Sequence, residues 1–169
     1  MRLVHLSHPI AVVLDVVAWG VVHAATGYAA HRMPPRRLRQ DGWLLRARRA
    51  EAGGRLYERR FAIRRWKDRL PEAGALFAGG LSKCHVPGGR DGLERFAVET
   101  RRAELAHWWA MAASPLFVLW NPPVASVLLV AYGVAVNAPF IAIQRYNRLR
   151  VSRVLAARAG RRRTGRSMP

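Results

Sequence analysis

The sequence predicts an all-α membrane protein with about three transmembrane helices: one N-terminal anchor, then a C-terminal helical hairpin, with a basic amphipathic helix lying at the interface. Three observations carry this. Residues 9–30 and 105–144 contain no lysine or arginine. The rest of the chain is strongly basic, with 29 Lys+Arg against 10 Asp+Glu and a net charge of +19. The basic clusters flank the apolar tracts on one side only. A charge at the bilayer centre costs roughly 2.5–3.5 kcal/mol on insertion scales, which is reason enough to clear a tract of cations. A soluble nucleic-acid binder has no such reason, so nucleic acid is not expected as a partner.

The first span, residues 9–30, reads PIAVVLDVVAWGVVHAATGYAA. At 1.5 Å per residue it is long enough for about 30 Å of hydrocarbon. A signal peptide is the rival, but the stretch holds Asp15 and His23 and is followed by HRMPPRRLR, a basic flank on the wrong side for export. A retained anchor is favoured. The second span, residues 105–120, is short and contains Pro115, which is expected to kink it. The Asn121-Pro122-Pro123 run makes a turn, and residues 124–143 form the third span.

Orientation follows from Lys and Arg. Arg32, Arg36, Arg37 and Arg39 follow the first span, Arg101 and Arg102 precede the second, and Arg145, Arg148, Arg150 and Arg153 follow the third. The chain is therefore expected to be a multi-pass cell-membrane protein with its N-terminus outside and its C-terminus cytoplasmic. Residues 1–157 form a single membrane domain with a cytoplasmic segment at 31–104. Residues 158–169 are expected to be a basic, disordered tail drawn to anionic lipid heads.

The cytoplasmic segment holds 19 of the 29 basic residues. Within it, LYERRFAIRRWKDRL is helical in pattern: Leu56, Ile63, Trp66 and Leu70 make one stripe, and Arg59, Arg60, Arg64, Lys67 and Arg69 cover the other faces. That suits a helix lying in the membrane interface, or an ordinary amphipathic helix packed on the protein. Pro71 and Gly74 would end it. Gly79-Gly80 and Pro87-Gly88-Gly89 read as loops, without the preceding strand and Lys-Ser or Lys-Thr of a phosphate loop. The single cysteine, Cys84, excludes an intrachain disulfide and has no metal-ligand spacing around it, so no metal site is expected.

Three places concentrate polar chemistry. In ETRRAELAHWW, His107 lies within about 80° of both Glu99 and Glu104 on a helical wheel. A carboxylate bonded to one imidazole nitrogen would fix the tautomer and make the other nitrogen a base for a hydroxyl proton. The plainer reading is an interfacial belt of His107, Trp108 and Trp109, with the glutamates paired to Arg101 and Arg102. In NAPFIAIQRYNRLR, Asn137, Gln144 and Arg148 share one helix face, and Arg145 and Arg148 suit an anionic group such as a phosphate. The plainer reading is a positive-inside anchor. In the first span, Asp15, Trp19 and His23 are spaced by four, with His8 seven residues before Asp15. This is either a functional pair or a buried polar bond that holds the bundle together.

Taken together, YERRFAIRRWKDRLP, ETRRAELAHWW and NAPFIAIQRYNR resemble the bacterial glycosyl-4,4'-diaponeurosporenoate acyltransferases, in order, over residues 57–153. That family attaches a fatty acyl chain to a sugar hydroxyl of a glycosylated C30 carotenoid carboxylate, the last step to a staphyloxanthin-like pigment. The resemblance implies a membrane acyltransferase with no bound cofactor, using an acyl thioester as donor and a glycosylated carotenoid or related glycolipid as acceptor. Glu99, Arg102, Glu104, His107, Trp108, Asn137, Pro139, Gln144, Arg145, Tyr146, Asn147 and Arg148 fall on the family's motifs. His107 is then the candidate base and Glu104 or Glu99 its orienter. Arg102, Trp108, Asn137, Gln144, Arg145, Tyr146, Asn147 and Arg148, with Trp66 and Lys67 from the first motif, are the candidate substrate contacts. Asp68 carries no role.

The antiparallel hairpin is expected to bring His107 near residues 144–148. No Ser or Cys neighbours a His in sequence, which favours direct transfer over a covalent acyl-enzyme. The competing reading is a non-catalytic membrane protein that binds or organises carotenoid and its enzymes.

Overall fold

The computed structural model describes residues 4–70 and 89–164, with side chains through Gly160. Cys84, Pro71, Gly74 and the glycine pair at 79–80 lie outside the described residues. Among the described residues every regular element is helical: α1 His8–Arg32, α2 Pro35–Leu38, α3 Arg55–Phe61, α4 Gly89–Ala113 and α5 Pro123–Thr164, with 3-10 turns between them. They form two compact units, one of Met1–Met33 with Glu104–Ile141, the other of Pro34–Ala103 with Ala142–Pro169.

The first unit holds the apolar helices. Both α1 and α5 are long and apolar enough to cross a membrane. Only 11% of the apolar window of α1 and 28% of that of α5 is buried within the protein. A core helix of a soluble protein would bury most of its window; here Val12, Val13, Val16, Val17, Val124, Val127 and Leu128 face outward. Such a surface suits contact with lipid. Oδ1 of Asp15 accepts hydrogen bonds from the Trp120 indole and the Asn121 amide, each at 2.8 Å, which ties α1 to the turn before α5. Trp19 stacks on Phe117 at 4.8 Å between ring centroids. Of the two readings of the Asp15 stripe, these contacts give Asp15 the bundle-holding one.

Helix α1 packs on α5 at Gly133, which is buried. A Cβ there would lie 2.7 Å from the Ser114 Cβ and 2.9 Å from the Trp19 Cη2, so only a glycine lets these chains meet.

The expected second span takes a different form. Helix α4 begins at Gly89, well before the apolar tract, and stops at Ala113; Ser114–Leu119 continues as a 3-10 turn. Pro115 is the cause. It lacks the N–H that would bond the Met111 carbonyl. The Ser114 hydroxyl donates to that carbonyl instead, at 2.8 Å. After the Asn121-Pro122-Pro123 turn, α5 starts as expected, but it does not stop at residue 143. It continues through Thr164, so residues 158–164 of the expected disordered tail are helical.

The second unit corrects the expected helix over 56–70. Helix α3 ends at Phe61, because Ala62 adopts a left-handed conformation with φ of 45°, and two short 3-10 turns follow. The break turns Ile63 into a core with Ile143 and Tyr146, against which Tyr57, Trp66 and Leu70 pack. The Trp66 indole N–H caps the freed Phe61 carbonyl at 2.8 Å. Packing against α5 thus overrides the local helical period. The apolar stripe faces this core rather than one side of a continuous interfacial helix.

Candidate active site

His107 projects from α4 in the first unit, half-buried, with its ring stacked on Phe140 of α5 at 4.8 Å and an interplanar angle of 9°. Its Nδ1 lies 3.0 Å from Oδ1 of Asn137. The orientation of that amide is determined by its other end: Asn137 Nδ2 donates to the Gly133 carbonyl at 2.9 Å. A carbonyl can only accept, so the NH2 faces Gly133 and the amide oxygen faces the imidazole. Nδ1 of neutral His107 therefore carries the hydrogen, and the lone pair is on Nε2.

The local sequence explains why Asn137 can do this. It is fully buried inside an apolar helix, where an amide must find partners. One is the carbonyl one turn back and the other is His107. Pro139 follows, removing the N–H that would close the next helical bond to Ala135 and loosening the helix where the site forms.

Nδ1 of His107 thus meets Asn137, a partner that the helical wheel of α4 did not offer. Glu104 is fully buried and accepts a long hydrogen bond from the Trp108 indole, at 3.4 Å. In the second unit, Glu99 pairs with Arg102 at 3.2 Å. The wheel shows which residues share a face of α4 but is blind to what α5 presents to that face. Asn137 itself stood out in sequence as an amide inside a span. Phe140 and Gly133 did not, although both lie within one turn of it.

Residues 144–148 belong to the second unit, where the two arginines have a structural role. Arg145 donates to the Glu51 carboxylate through Nε, to the Leu44 carbonyl at 3.1 Å and to the Arg46 carbonyl at 2.6 Å. Arg148 donates to the Leu45 carbonyl. Both guanidinium groups are buried and hold the 44–46 backbone. Tyr146 is buried and donates to Glu58 at 2.8 Å. Asn147 is also buried, and its amide nitrogen has no hydrogen-bond partner among the described residues. Gln144 is half-buried. Trp66 lines the second unit's core and Lys67 pairs with the neighbouring Asp68.

Glu51 escaped the sequence reading. It is 5% exposed and accepts from the Arg48 backbone N–H at 2.6 Å and the Tyr57 hydroxyl at 2.7 Å, besides Arg145. Burial alone would raise its carboxyl, but these hydrogen bonds and the Arg145 charge outweigh burial and hold it below the usual range. Only the Arg48 N–H is local; the side chains that partner it lie six and 94 residues away, and no sequence pattern links them to it.

Comparison with known proteins agrees with the motifs. Residues 41–157 match the family model described as glycosyl-4,4'-diaponeurosporenoate acyltransferase. The chain is 28% identical over 138 residues to the glycosyl-4,4'-diaponeurosporenoate acyltransferase of Staphylococcus aureus strain MRSA252, covering 81% of this chain and 83% of that one. The proteins of the same name from strains RF122 and USA300 are 27% identical over the same shares. No solved structure matches. The match spans well over half the chain and includes every candidate site residue: the chain belongs to the glycosyl-4,4'-diaponeurosporenoate acyltransferase family and is a membrane-embedded acyltransferase.

Proposed function

We propose that this enzyme transfers a fatty acyl group from an acyl thioester to a sugar hydroxyl of a glycosylated carotenoid or a related glycolipid, with His107 as general base. The observation that carries this reading is the chain Gly133 carbonyl–Asn137 amide–His107 Nδ1, which leaves Nε2 as the proton acceptor. Nε2 takes the proton from the sugar hydroxyl as its oxygen attacks the thioester carbonyl. The tetrahedral intermediate collapses, the C–S bond breaks, and the departing thiolate takes the proton from the imidazolium. No covalent acyl-enzyme is required. The Phe140 ring holds the imidazole from one side, so its plane and its hydrogen-bonded edge are both constrained. The sugar-carotenoid acceptor is suggested by the names of the relatives, and a substrate with an apolar tail suits an active site among lipid-facing helices.

Mass spectrometry of lipid extracts from cells with and without the gene is the test. The expected result is a glycosylated lipid that gains the mass of one fatty acyl group only when the gene is present. An unchanged profile of glycosylated lipids, with the protein expressed in the membrane, would remove the proposed substrate class.

The same reading places three crossings in the bilayer, with residues 105–120 as the middle one, the N-terminus outside and the C-terminus inside. The clusters at Arg32–39, Arg101–102 and Arg145–153 support this orientation. Reporter fusions after Ala50 and Pro169 should both read cytoplasmic. An external reading at Pro169 would overturn the hairpin.

A further inference from the structure

In the second unit, one turn combines a rigid backbone with an exposed aromatic ring. The N–H groups of Leu45 and Arg46 both bond the Gly42 carbonyl, at 3.1 and 2.9 Å, closing a single helical turn. The buried guanidinium groups of Arg145 and Arg148 take three further carbonyls, of Leu44, Leu45 and Arg46. Leu45 is turned inward, 4% exposed. Trp43, at the head of the turn, is 80% exposed, more than any other large hydrophobic residue described. Two buried arginines thus fix a backbone whose outward product is a bare indole.

The surroundings of Trp43 are one-sided in charge. Arg36, Arg37, Arg39, Arg46, Arg48 and Arg49 are all exposed. Asp41 is the sole acid in that stretch, and Arg101 pairs with it at 2.7 Å. The chain reaches Gly42 within ten residues of the end of α1 at Arg32. An indole has an apolar body and one N–H, which suits the headgroup level of a bilayer, where arginines can spread onto phosphates while their stems cover apolar surface.

We propose that the Gly42–Arg46 turn is a membrane-surface anchor: Trp43 inserts at the headgroup level of an anionic bilayer, and the six flanking arginines bind its phosphates. The role of Arg145 and Arg148 in this anchor is to hold the turn in one shape, so that the indole is presented without a further cost of ordering the loop. This anchor is independent of the chemistry at His107. An acidic protein, such as a carrier of the acyl donor, would also be drawn to six arginines. The lone protruding indole beside them favours lipid.

The test uses the full chain with 5-fluorotryptophan at its six tryptophans, in lipid nanodiscs, read by fluorine NMR. The resonance absent from Trp43→Phe assigns Trp43. In discs rich in anionic lipid, lipid spin-labelled near the headgroup should broaden that resonance away, while a soluble paramagnetic chelate leaves it intact. In wholly zwitterionic discs, or in an Arg46→Gln/Arg49→Gln variant, the effect of the spin-labelled lipid should weaken. A Trp43 resonance lost to the soluble chelate and untouched by the lipid label would overturn the anchor. So would an effect equal in neutral and anionic discs, or shielding that arises only when an acidic acyl carrier protein is added.

Discussion

Replacing His107 with glutamine is expected to lower the rate of acyl transfer by about 10²–10⁴-fold, the usual contribution of a positioned general base. Glutamine keeps the size and one polar end of the side chain, so the stack on Phe140 and the contact with Asn137 have a substitute. What it lacks is a basic nitrogen. The measurement is acyl incorporation by membranes containing equal amounts of folded enzyme, judged by gel filtration in detergent. Asn137→Ala should be milder, about fivefold, since it removes one orienting hydrogen bond worth about 1 kcal/mol and leaves the base in place. The ordering of the two variants separates a catalytic His107 from a structural one. If His107→Gln keeps more than half its activity, the catalytic assignment fails and the His107–Asn137 bond is only a helix–helix contact.

The largest expected effect on stability comes from Glu51. Glu51→Ala removes the buried carboxylate to which Arg145, the Tyr57 hydroxyl and the Arg48 N–H all donate. Breaking a buried ion pair from one side costs about 3–5 kcal/mol. For a chain of this size that corresponds to a fall in Tm of about 10 °C or more. Tyr57→Phe removes one of the three donors and should cost about 1 kcal/mol. A Glu51→Ala variant that melts within a degree or two of the parent would show that Arg145 does not need its partner.

The same group predicts a pH dependence. The folded state holds the Glu51 carboxyl below its ordinary value near 4.5. The unfolded chain therefore takes up this proton first as pH falls. The stabilisation is complete above about pH 4.5 and is lost as pH drops through the depressed folded value. Thermal melts from pH 7 to pH 3 should show a steep acid limb in the parent enzyme and a shallower one in Glu51→Gln.

Much of the architecture was legible from the chain alone, because the bilayer imposes simple rules. A span must be apolar, about 20 residues long and free of cations. Those rules place α1 over nearly the expected residues and begin α5 after the Asn121-Pro122-Pro123 turn. Family motifs singled out His107 and Asn137, residues that the sequence placed on separate elements. Pro115 announced the change of helix type that ends α4.

Tertiary structure decided the rest, and the reason in each case is a partner distant in sequence. The helical period over 56–70 predicted one helix, but Ile63 gains more from the Ile143–Tyr146 core than from continuing it, so the chain breaks at Ala62. The glutamates of α4 share a face with His107, yet the bond to its ring comes from Asn137, 30 residues on. Arg145 and Arg148 read as anion holders because isolated arginines always do. Only the folded chain shows them bound to the carbonyls of residues 44–46 and, for Arg145, to Glu51, roughly a hundred residues earlier in the sequence. Sequence determines which residues must be apolar and which must find a partner. The choice of partner is an energy balance among groups far apart in the chain, and it is made only when the helices pack.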